Sequence, residues 1–234
     1  MKKNNFLNEI YHHLIVSCQA LEDEPLHGAE IMAKMAQAAK EGGAKAIRCN
    51  SVPDCIAIKK QTNLPVIAII KRDYPNSEIY ITPTMKEIKE LLTARPEVIA
   101  LDATKRTRPH REKLKDLVDY IHENSDTLVM GDIATPEDAK YAYECNVDIL
   151  SSTLSGYTKE TEQKDGPDFA LVEELCKTYT IPVIAEGKIN TPNEAEKMLE
   201  LGAWSVVVGS AITRPQLITK SFVQVIEKKG DCFA

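Results

Sequence analysis

The sequence predicts an α/β protein that folds as one TIM-type (β/α)8 barrel over residues 1–234. Eight short apolar runs recur along the chain, most of them rich in valine and isoleucine with little alternation of polar residues. Such runs are typical of strands buried on both faces of a parallel sheet. Segments with helical periodicity separate them. The strand-to-strand spacing averages about 27 residues, as in a barrel of about 250 residues.

The predicted strands and helices alternate along the chain. The strands cover residues 14–18, 46–47, 66–70, 98–101, 128–130, 149–150, 183–185 and 206–208. The helices cover residues 30–41, 52–60, 85–94, 111–123, 136–145, 168–180 and 191–201. Thr135 and Thr191 each precede a proline and are predicted to be helix N-caps. Gly42, Gly43 and Gly202 are predicted to end helices, where a left-handed residue is favoured.

A doubly wound open sheet is the structural alternative to the barrel. That fold usually has a glycine-rich turn after its first strand. Residues 18–21 read Cys-Gln-Ala-Leu and contain no glycine. Eight repeating units and the missing turn together favour a closed barrel.

Composition limits the classes of function. With 43% hydrophobic residues and no Pro-, Gly- or Ser-rich linker, the 234 residues can bury one core. A net charge of −6 argues against a nucleic-acid partner, and no apolar run approaches the roughly 20 residues of a membrane span. The N-terminus lacks an apolar signal core and the six cysteines are scattered, so we expect a cytoplasmic protein with reduced thiols. We consider a homodimer as the alternative to a monomer.

A polar residue follows or closes each apolar run. In such barrels the active site is built at the carboxyl ends of the strands, so these side chains are expected to converge on one cavity. In chain order they are Gln19, Arg48, Lys71, Asp102, Asp132, Thr153, Glu186 and the pair Gly209-Ser210.

Lys71 and Glu186 are the candidate catalytic residues. A lysine that ends a buried run loses hydration unless it is paired or functional. One interpretation is a structural ion pair between Lys71 and a strand-end carboxylate such as Glu186. The other is acid–base work, for which burial and the nearby Arg48 would lower the pKa of Lys71. A Schiff-base nucleophile is a third role for the same amine.

The ends of strands 7 and 8 are predicted to bind a phosphate group. Glycine lets an anion approach the backbone, and Gly187 and Gly209 stand at matching places after these two strands. Amides at the start of a short following helix, together with Ser210 and Arg214, would complete the site. A tight turn alone would also explain the glycines. The long segment 151–168 after strand 6 is interpreted either as a loop that closes over a ligand or as solvated chain.

Seven segments in register identify a family resemblance over residues 14–225. The chain resembles the N-acylglucosamine-6-phosphate 2-epimerases, also called N-acetylmannosamine-6-phosphate 2-epimerases. The segments are Leu-Ile-Val-Ser-Cys-Gln-Ala at 14–20, Lys-Arg-Asp-Tyr at 71–74, Ile-Ala-Leu-Asp-Ala-Thr at 99–104, Asp-Ile-Ala-Thr at 132–135, Thr-Leu-Ser-Gly-Tyr-Thr at 153–158, Ile-Ala-Glu-Gly at 184–187 and Val-Gly-Ser-Ala-Ile-Thr-Arg-Pro at 208–215.

The resemblance implies an isomerase that interconverts N-acetylmannosamine 6-phosphate and N-acetylglucosamine 6-phosphate in sialic acid and amino-sugar catabolism. It places the family's catalytic lysine and glutamate at Lys71 and Glu186, and no cofactor is implied. The predicted substrate contacts are Gln19, Arg48, Asp132 and Thr153, and the predicted phosphate contacts are Gly187, Gly209, Ser210 and Arg214. Two positions depart from the pattern, Gly131 and Cys49, where alanine is expected.

Three other functions are weighed against this one. A metal-dependent epimerase needs histidine and carboxylate ligands at strand ends, and no histidine directly follows a predicted strand. A Schiff-base aldolase would use Lys71 as its nucleophile. A catalytically inactive sugar-phosphate sensor would need only the anion site, without Lys71 and Glu186.

Overall fold

A computed structural model describes residues 2–163 and 165–230 of the chain. Eight parallel strands form a closed barrel in sequence order, and β1 pairs with β8 through Leu14 and Val206. The predicted (β/α)8 barrel is therefore confirmed. The strands are β1 Leu14–Cys18, β2 Ala46–Asn50, β3 Val66–Ile69, β4 Val98–Asp102, β5 Leu128–Asp132, β6 Ile149–Ser151, β7 Val183–Ala185 and β8 Ser205–Val208.

The helices surround this barrel. They are α1 Lys2–Ile10, α2 Ala29–Glu41, α3 Val52–Thr62, α4 Met85–Ala94, α5 Leu114–Asn124, α6 Pro136–Glu144, α7 Phe169–Thr178, α8 Pro192–Glu200, α9 Ser210–Thr213 and α10 Pro215–Gly230. None of those in the described ranges is both long and apolar enough to cross a membrane.

The predicted helix signals mostly act as expected. The hydroxyls of Thr135 and Thr191 each accept the N3 amide, at 3.2 Å in both cases, within a capping box. Gly43 and Gly202 take positive φ of 103° and 102° after α2 and α8. Gly42 differs from the prediction, because its φ of −73° continues the right-handed turn.

Several strands are longer than their apolar runs. β2 and β5 continue through Arg48 and Asp132, because these polar residues pair along the ladder with Ser17 and Asp102. A side chain's polarity does not prevent its backbone from pairing. The predicted helix at 111–123 begins later, at Leu114, after a short 3₁₀ turn.

Alternation along each strand aims the functional side chains into the barrel. Successive side chains point to opposite faces, so a residue two positions after an interior residue also points inward. The interior is filled by an apolar cluster that includes Ile15, Ile67 and Val207. Four site residues follow members of this cluster by two positions: Arg48 after Ala46, Lys71 after Ile69, Asp132 after Met130 and Glu186 after Ile184.

The two ends of the barrel differ in what covers them. At the amino-terminal end, α1 supplies the buried Phe6 and Ile10, which join the interior cluster. The opposite end carries the loops after the strands.

The glycine at 131, where alanine is expected, has a steric reason, because a Cβ there would lie 3.0 Å from the Cβ of Ala103.

Candidate active site

A cavity of about 350 Å³ opens at the carboxyl ends of the strands. Eight of the ten predicted site residues line it, including both candidate catalytic residues and all four predicted phosphate contacts. They are Gln19, Lys71, Thr153, Glu186, Gly187, Gly209, Ser210 and Arg214. The other two, Arg48 and Asp132, are fully buried: Arg48 donates to Thr153 and Glu186, and Asp132 accepts from Thr153.

The backbone of Lys71 is held rigidly while its ammonium group is not paired. The Lys71 amide donates to Asn50 Oδ1 at 2.8 Å, and the residue bridges the backbone of Ile81. No ion pair or hydrogen bond joins Nζ to the side chains that the structure describes. Burial, and then the charges of Arg48 and Arg214, lower the pKa of Lys71 to about 8. This geometry contradicts the interpretation of Lys71 as the ion-pair partner of Glu186.

The partner of Glu186 is Arg48. The Arg48 guanidinium donates to Asp132 through Nη1 at 3.1 Å and Nη2 at 2.5 Å, and Nη1 also pairs with Glu186 Oε2. Arg48 and Asp132 are fully buried, so one guanidinium balances one buried carboxylate and a second, Glu186, that lines the cavity. Burial raises the pKa of Glu186, although the Arg48 charge opposes this rise, and Asp132 adds to it.

A buried serine holds the backbone of Glu186. Ser152 Oγ donates to the Glu186 carbonyl at 2.9 Å and accepts its amide at 3.1 Å. Both backbone groups of Glu186 are thereby satisfied by one side chain. The carboxyl group therefore leaves β7 in a defined direction, toward Arg48 and the cavity.

The end of the cavity that is predicted to bind phosphate has two glycines and one restrained arginine. Gly187 has a φ of 106°, and a Cβ at Gly209 would lie 3.3 Å from Ser17 Cβ. Arg214 donates through Nη1 to Ser210 Oγ at 2.8 Å. Its Nε and Nη2 reach both oxygens of Glu24, at 2.5 and 2.9 Å. This fork-shaped pairing presents a planar cation at the wall of the cavity.

Comparisons with known proteins identify the family of this chain. Residues 32–228 match the protein family described as "Putative N-acetylmannosamine-6-phosphate epimerase". A curated relative with the corresponding 2-epimerase name, from Clostridioides difficile, is 60% identical over 94% of this chain and 99% of its own length. The chain belongs to this epimerase family. The resemblance predicted from sequence is confirmed, and with it the enzyme class, an isomerase.

A solved structure also supports membership in the epimerase family. The N-acetylmannosamine-6-phosphate 2-epimerase from Clostridium perfringens superposes with a TM-score of 0.92 at 57% identity, covering 94% of this chain and 95% of that one. A thiamine phosphate pyrophosphorylase from Pyrococcus furiosus gives a TM-score of 0.61 at 17% identity and covers 89% and 90% of the two chains. The second match shows a shared fold alone.

The expectation for Asp102 is wrong. Asp102 points inward at the end of β4, yet it is not among the residues that line the cavity. Its carboxylate accepts from the Thr104 amide and hydroxyl at 3.0 and 2.7 Å and from Arg106 at 2.5 Å. Asp102 therefore holds the loop after β4, and Tyr80 takes its place in the cavity wall of this epimerase family member.

Three further lining residues escape sequence reasoning. Glu24 lies in the loop after β1, which a closed barrel brings beside the loop after β8. A carboxylate in that loop was the only available signal. Lys188 Nζ lies 5.3 Å from the ring centre of Tyr157, and together they form a cation–π contact at the cavity mouth.

The structure adds two observations on metals and thiols. Across residues 2–163 and 165–230, no group of three or more His, Cys, Asp or Glu side chains is placed to hold a metal ion. Five cysteines are free thiols: Cys18, Cys49, Cys55, Cys145 and Cys176. Burial raises the pKa of Cys18 to about 12, so its thiol stays protonated at neutral pH.

Proposed function

We propose that the protein interconverts N-acetylmannosamine 6-phosphate and N-acetylglucosamine 6-phosphate by removing and returning the proton at C2. The observation that carries this proposal is the amine of Lys71, which has no partner among the described side chains and faces the same cavity as Glu186. A base and a second proton-exchanging group are what an epimerisation requires. Membership in the epimerase family supports the substrate.

The chemistry begins with a carbonyl next to C2, because only then is the C2 proton acidic. The sugar ring therefore opens to the aldehyde. Lys71 takes the C2 proton, and the electron pair of the broken C–H bond moves into an enediolate whose charge hydrogen-bond donors stabilise. Return of a proton to the opposite face, with Glu186 as the second exchanging group, gives the epimer. No cofactor or metal takes part in this proposal.

The phosphate group is assigned to the end of the cavity formed by Gly187, Gly209, Ser210 and Arg214. We predict that Arg214→Gln raises KM roughly ten- to a hundredfold, because a hydrogen bond to a charged group is lost. The effect on kcat should be much smaller. Steady-state kinetics measure both constants. In Lys220→Gln, a change on the exposed surface of α10, both should match the wild type.

The pH dependence follows from the pKa of Lys71. The base must be neutral, and a pKa of about 8 leaves it mostly protonated below that pH. At pH 7 roughly one tenth of the lysine would be neutral. We therefore predict that kcat/KM rises from pH 6 to a plateau above about pH 8. A profile that falls over this interval would contradict a neutral lysine base.

The proposed function is tested directly by mixing the protein with N-acetylmannosamine 6-phosphate and following the product by NMR. We expect the gluco epimer to form, at the same rate with and without a strong chelator. Loss of activity in chelator would contradict the metal-independent mechanism. Borohydride distinguishes the aldolase alternative, because a Schiff base would leave a reduced adduct on Lys71.

The metabolic role and compartment that we propose are sialic acid and amino-sugar catabolism in the cytoplasm. The epimerase family's substrate name supports the first. The five free cysteines support the second, because reduced thiols are usual in that compartment. The role is tested by deleting the gene and growing the strain on N-acetylmannosamine. Growth equal to that of the parent strain would contradict it.

We also propose that the protein forms a homodimer through α10. Five large apolar side chains of this helix are exposed by 42 to 68%: Leu217, Phe222, Val223, Val225 and Ile226. Exposed apolar surface of this kind on one helix is typical of a protein–protein contact. Light scattering after gel filtration is expected to give twice the chain mass for the wild type. The double variant Phe222→Glu, Ile226→Glu is expected to give the mass of a single chain.

A further inference from the structure

The hydroxyl of Thr153 lies at the centre of the buried charge network. Its Oγ1 is 2.8 Å from Asp132 Oδ1, 3.0 Å from Glu186 Oε2, 3.1 Å from Arg48 Nη1 and 2.8 Å from Ser151 Oγ. Four polar partners surround one oxygen. A hydroxyl has one proton and two lone pairs, so it cannot serve all four at once.

Counting protons shows which contacts exclude each other. Arg48 can only donate, so it uses one lone pair of Thr153. An ionised carboxylate can only accept, so both Asp132 and Glu186 compete for the single hydroxyl proton while Glu186 is ionised. The second lone pair of Thr153 can accept either from the Ser151 hydroxyl or, when Glu186 is protonated at Oε2, from Glu186. The hydroxyl proton is then available to Asp132.

We propose that Thr153 is a positioning residue that redirects its one proton between Glu186 and Asp132 as Glu186 loses or gains a proton. The inference rests on the proposed function, in which Glu186 exchanges a proton in each turnover. In both states the facing oxygens of the two carboxyl groups remain hydrogen-bonded. An unpaired buried oxygen would otherwise oppose one of the two states. Thr153 thus makes the two protonation states of Glu186 similar in free energy.

Four ionisable groups act on Glu186 in addition to burial and the Thr153 hydrogen bond. They are Arg48 from β2, Asp132 from β5, Lys71 after β3 and Tyr157 in the loop after β6. Burial is the largest influence and raises the pKa of Glu186, whereas Arg48 and the Thr153 hydrogen bond lower it. Removing the Thr153 hydroxyl should therefore raise this pKa further, with the four groups left in place.

The test compares Thr153→Val, which keeps the shape and removes the hydroxyl, with Thr153→Ser, which keeps the hydroxyl. In the valine variant we expect kcat to fall at least tenfold, because a hydrogen bond to a charged group is lost. We expect KM to stay within about twofold. Serine should restore kcat.

A second measurement does not depend on turnover. The ¹³C-carboxyl resonance of Glu186, assigned by its loss in Glu186→Gln, reports its pKa in the ligand-free protein. It should titrate at higher pH in Thr153→Val than in the wild type. Thr158→Val is the matched control, because it removes a hydroxyl from the same loop. That hydroxyl bonds to Thr161 and not to Glu186. Its titration and pH profile should match those of the wild type.

Three results would overturn the inference. They are an unchanged Glu186 titration in Thr153→Val, a serine variant as impaired as the valine variant, and an effect on KM alone. The last result would make Thr153 a simple substrate contact. These outcomes are distinct from failure of the proposed function, in which the wild-type protein itself would not epimerise the sugar phosphate.

Discussion

Lys71→Ala is expected to lower kcat by about 10² to 10⁴, the usual contribution of a positioned acid–base group. The amine has no ion-pair partner among the described side chains, and its pKa of about 8 is suited to proton transfer near neutral pH. Binding of the sugar phosphate should change little, because the proposed phosphate site is intact. Steady-state kinetics of the variant measure the loss.

The stability of this variant distinguishes a catalytic role from a structural one. Removing a lysine with a structural role would destabilise the protein. A largely buried ammonium group without a partner among the described side chains instead opposes folding, so its removal should not destabilise the protein. We therefore expect the unfolding temperature of Lys71→Ala to equal or exceed that of the wild type. Lys159→Ala is the control, since Lys159 is 82% exposed and pairs with Glu78 on the protein surface. Wild-type kcat in Lys71→Ala would contradict the account.

Arg48→Met is expected to cause the largest loss of stability of the single substitutions considered. The buried guanidinium balances Asp132 and Glu186, and removing one member of a buried ion pair costs about 3–5 kcal/mol. Urea unfolding at pH 7.5 measures the difference in free energy. Lys197→Met is the control, because its pair with Glu200 is exposed and should contribute at most about 1 kcal/mol.

The sign of the pH dependence checks the cause of that loss. Burial raises the pKa of Glu186 above its unfolded value, and loss of Arg48 removes the charge that opposes this rise. The folded variant then binds more protons than the unfolded chain, so its stability falls as pH rises through the folded pKa. We expect the deficit to be smaller at pH 5.5 than at pH 7.5. Glu186→Gln combined with Arg48→Met should recover part of it.

Much of the barrel could be predicted from sequence because parallel strands buried on both faces have a simple composition. The apolar runs at 14–18 and 183–185 coincide with β1 and β7. Strands that end in polar residues, such as β2 and β5, were predicted too short. Their last residues are polar because they face the site, and composition alone does not distinguish them from a loop. The helix α1 lies outside the repeating pattern and was not predicted.

The candidate site was predicted as a set of residues but not as a set of pairs. Position at a strand end was enough to bring Lys71 and Glu186 to one cavity. The choice of Arg48 as the partner of Glu186 depends on the distances across the barrel between β2 and β7, which no local pattern contains. Asp102 shows the converse, because a neighbouring loop supplies Arg106 and removes the carboxylate from the cavity.

The central claim is that Lys71 exchanges the proton at C2 of the sugar phosphate. The most direct measurement is ¹H NMR of N-acetylglucosamine 6-phosphate incubated with the protein in D2O. We expect that the C2–H signal disappears as deuterium enters, that the manno epimer appears, and that formation of the epimer stops in Lys71→Ala. Formation of the epimer with the original C2 proton retained, or undiminished formation of the epimer in Lys71→Ala, would contradict the claim.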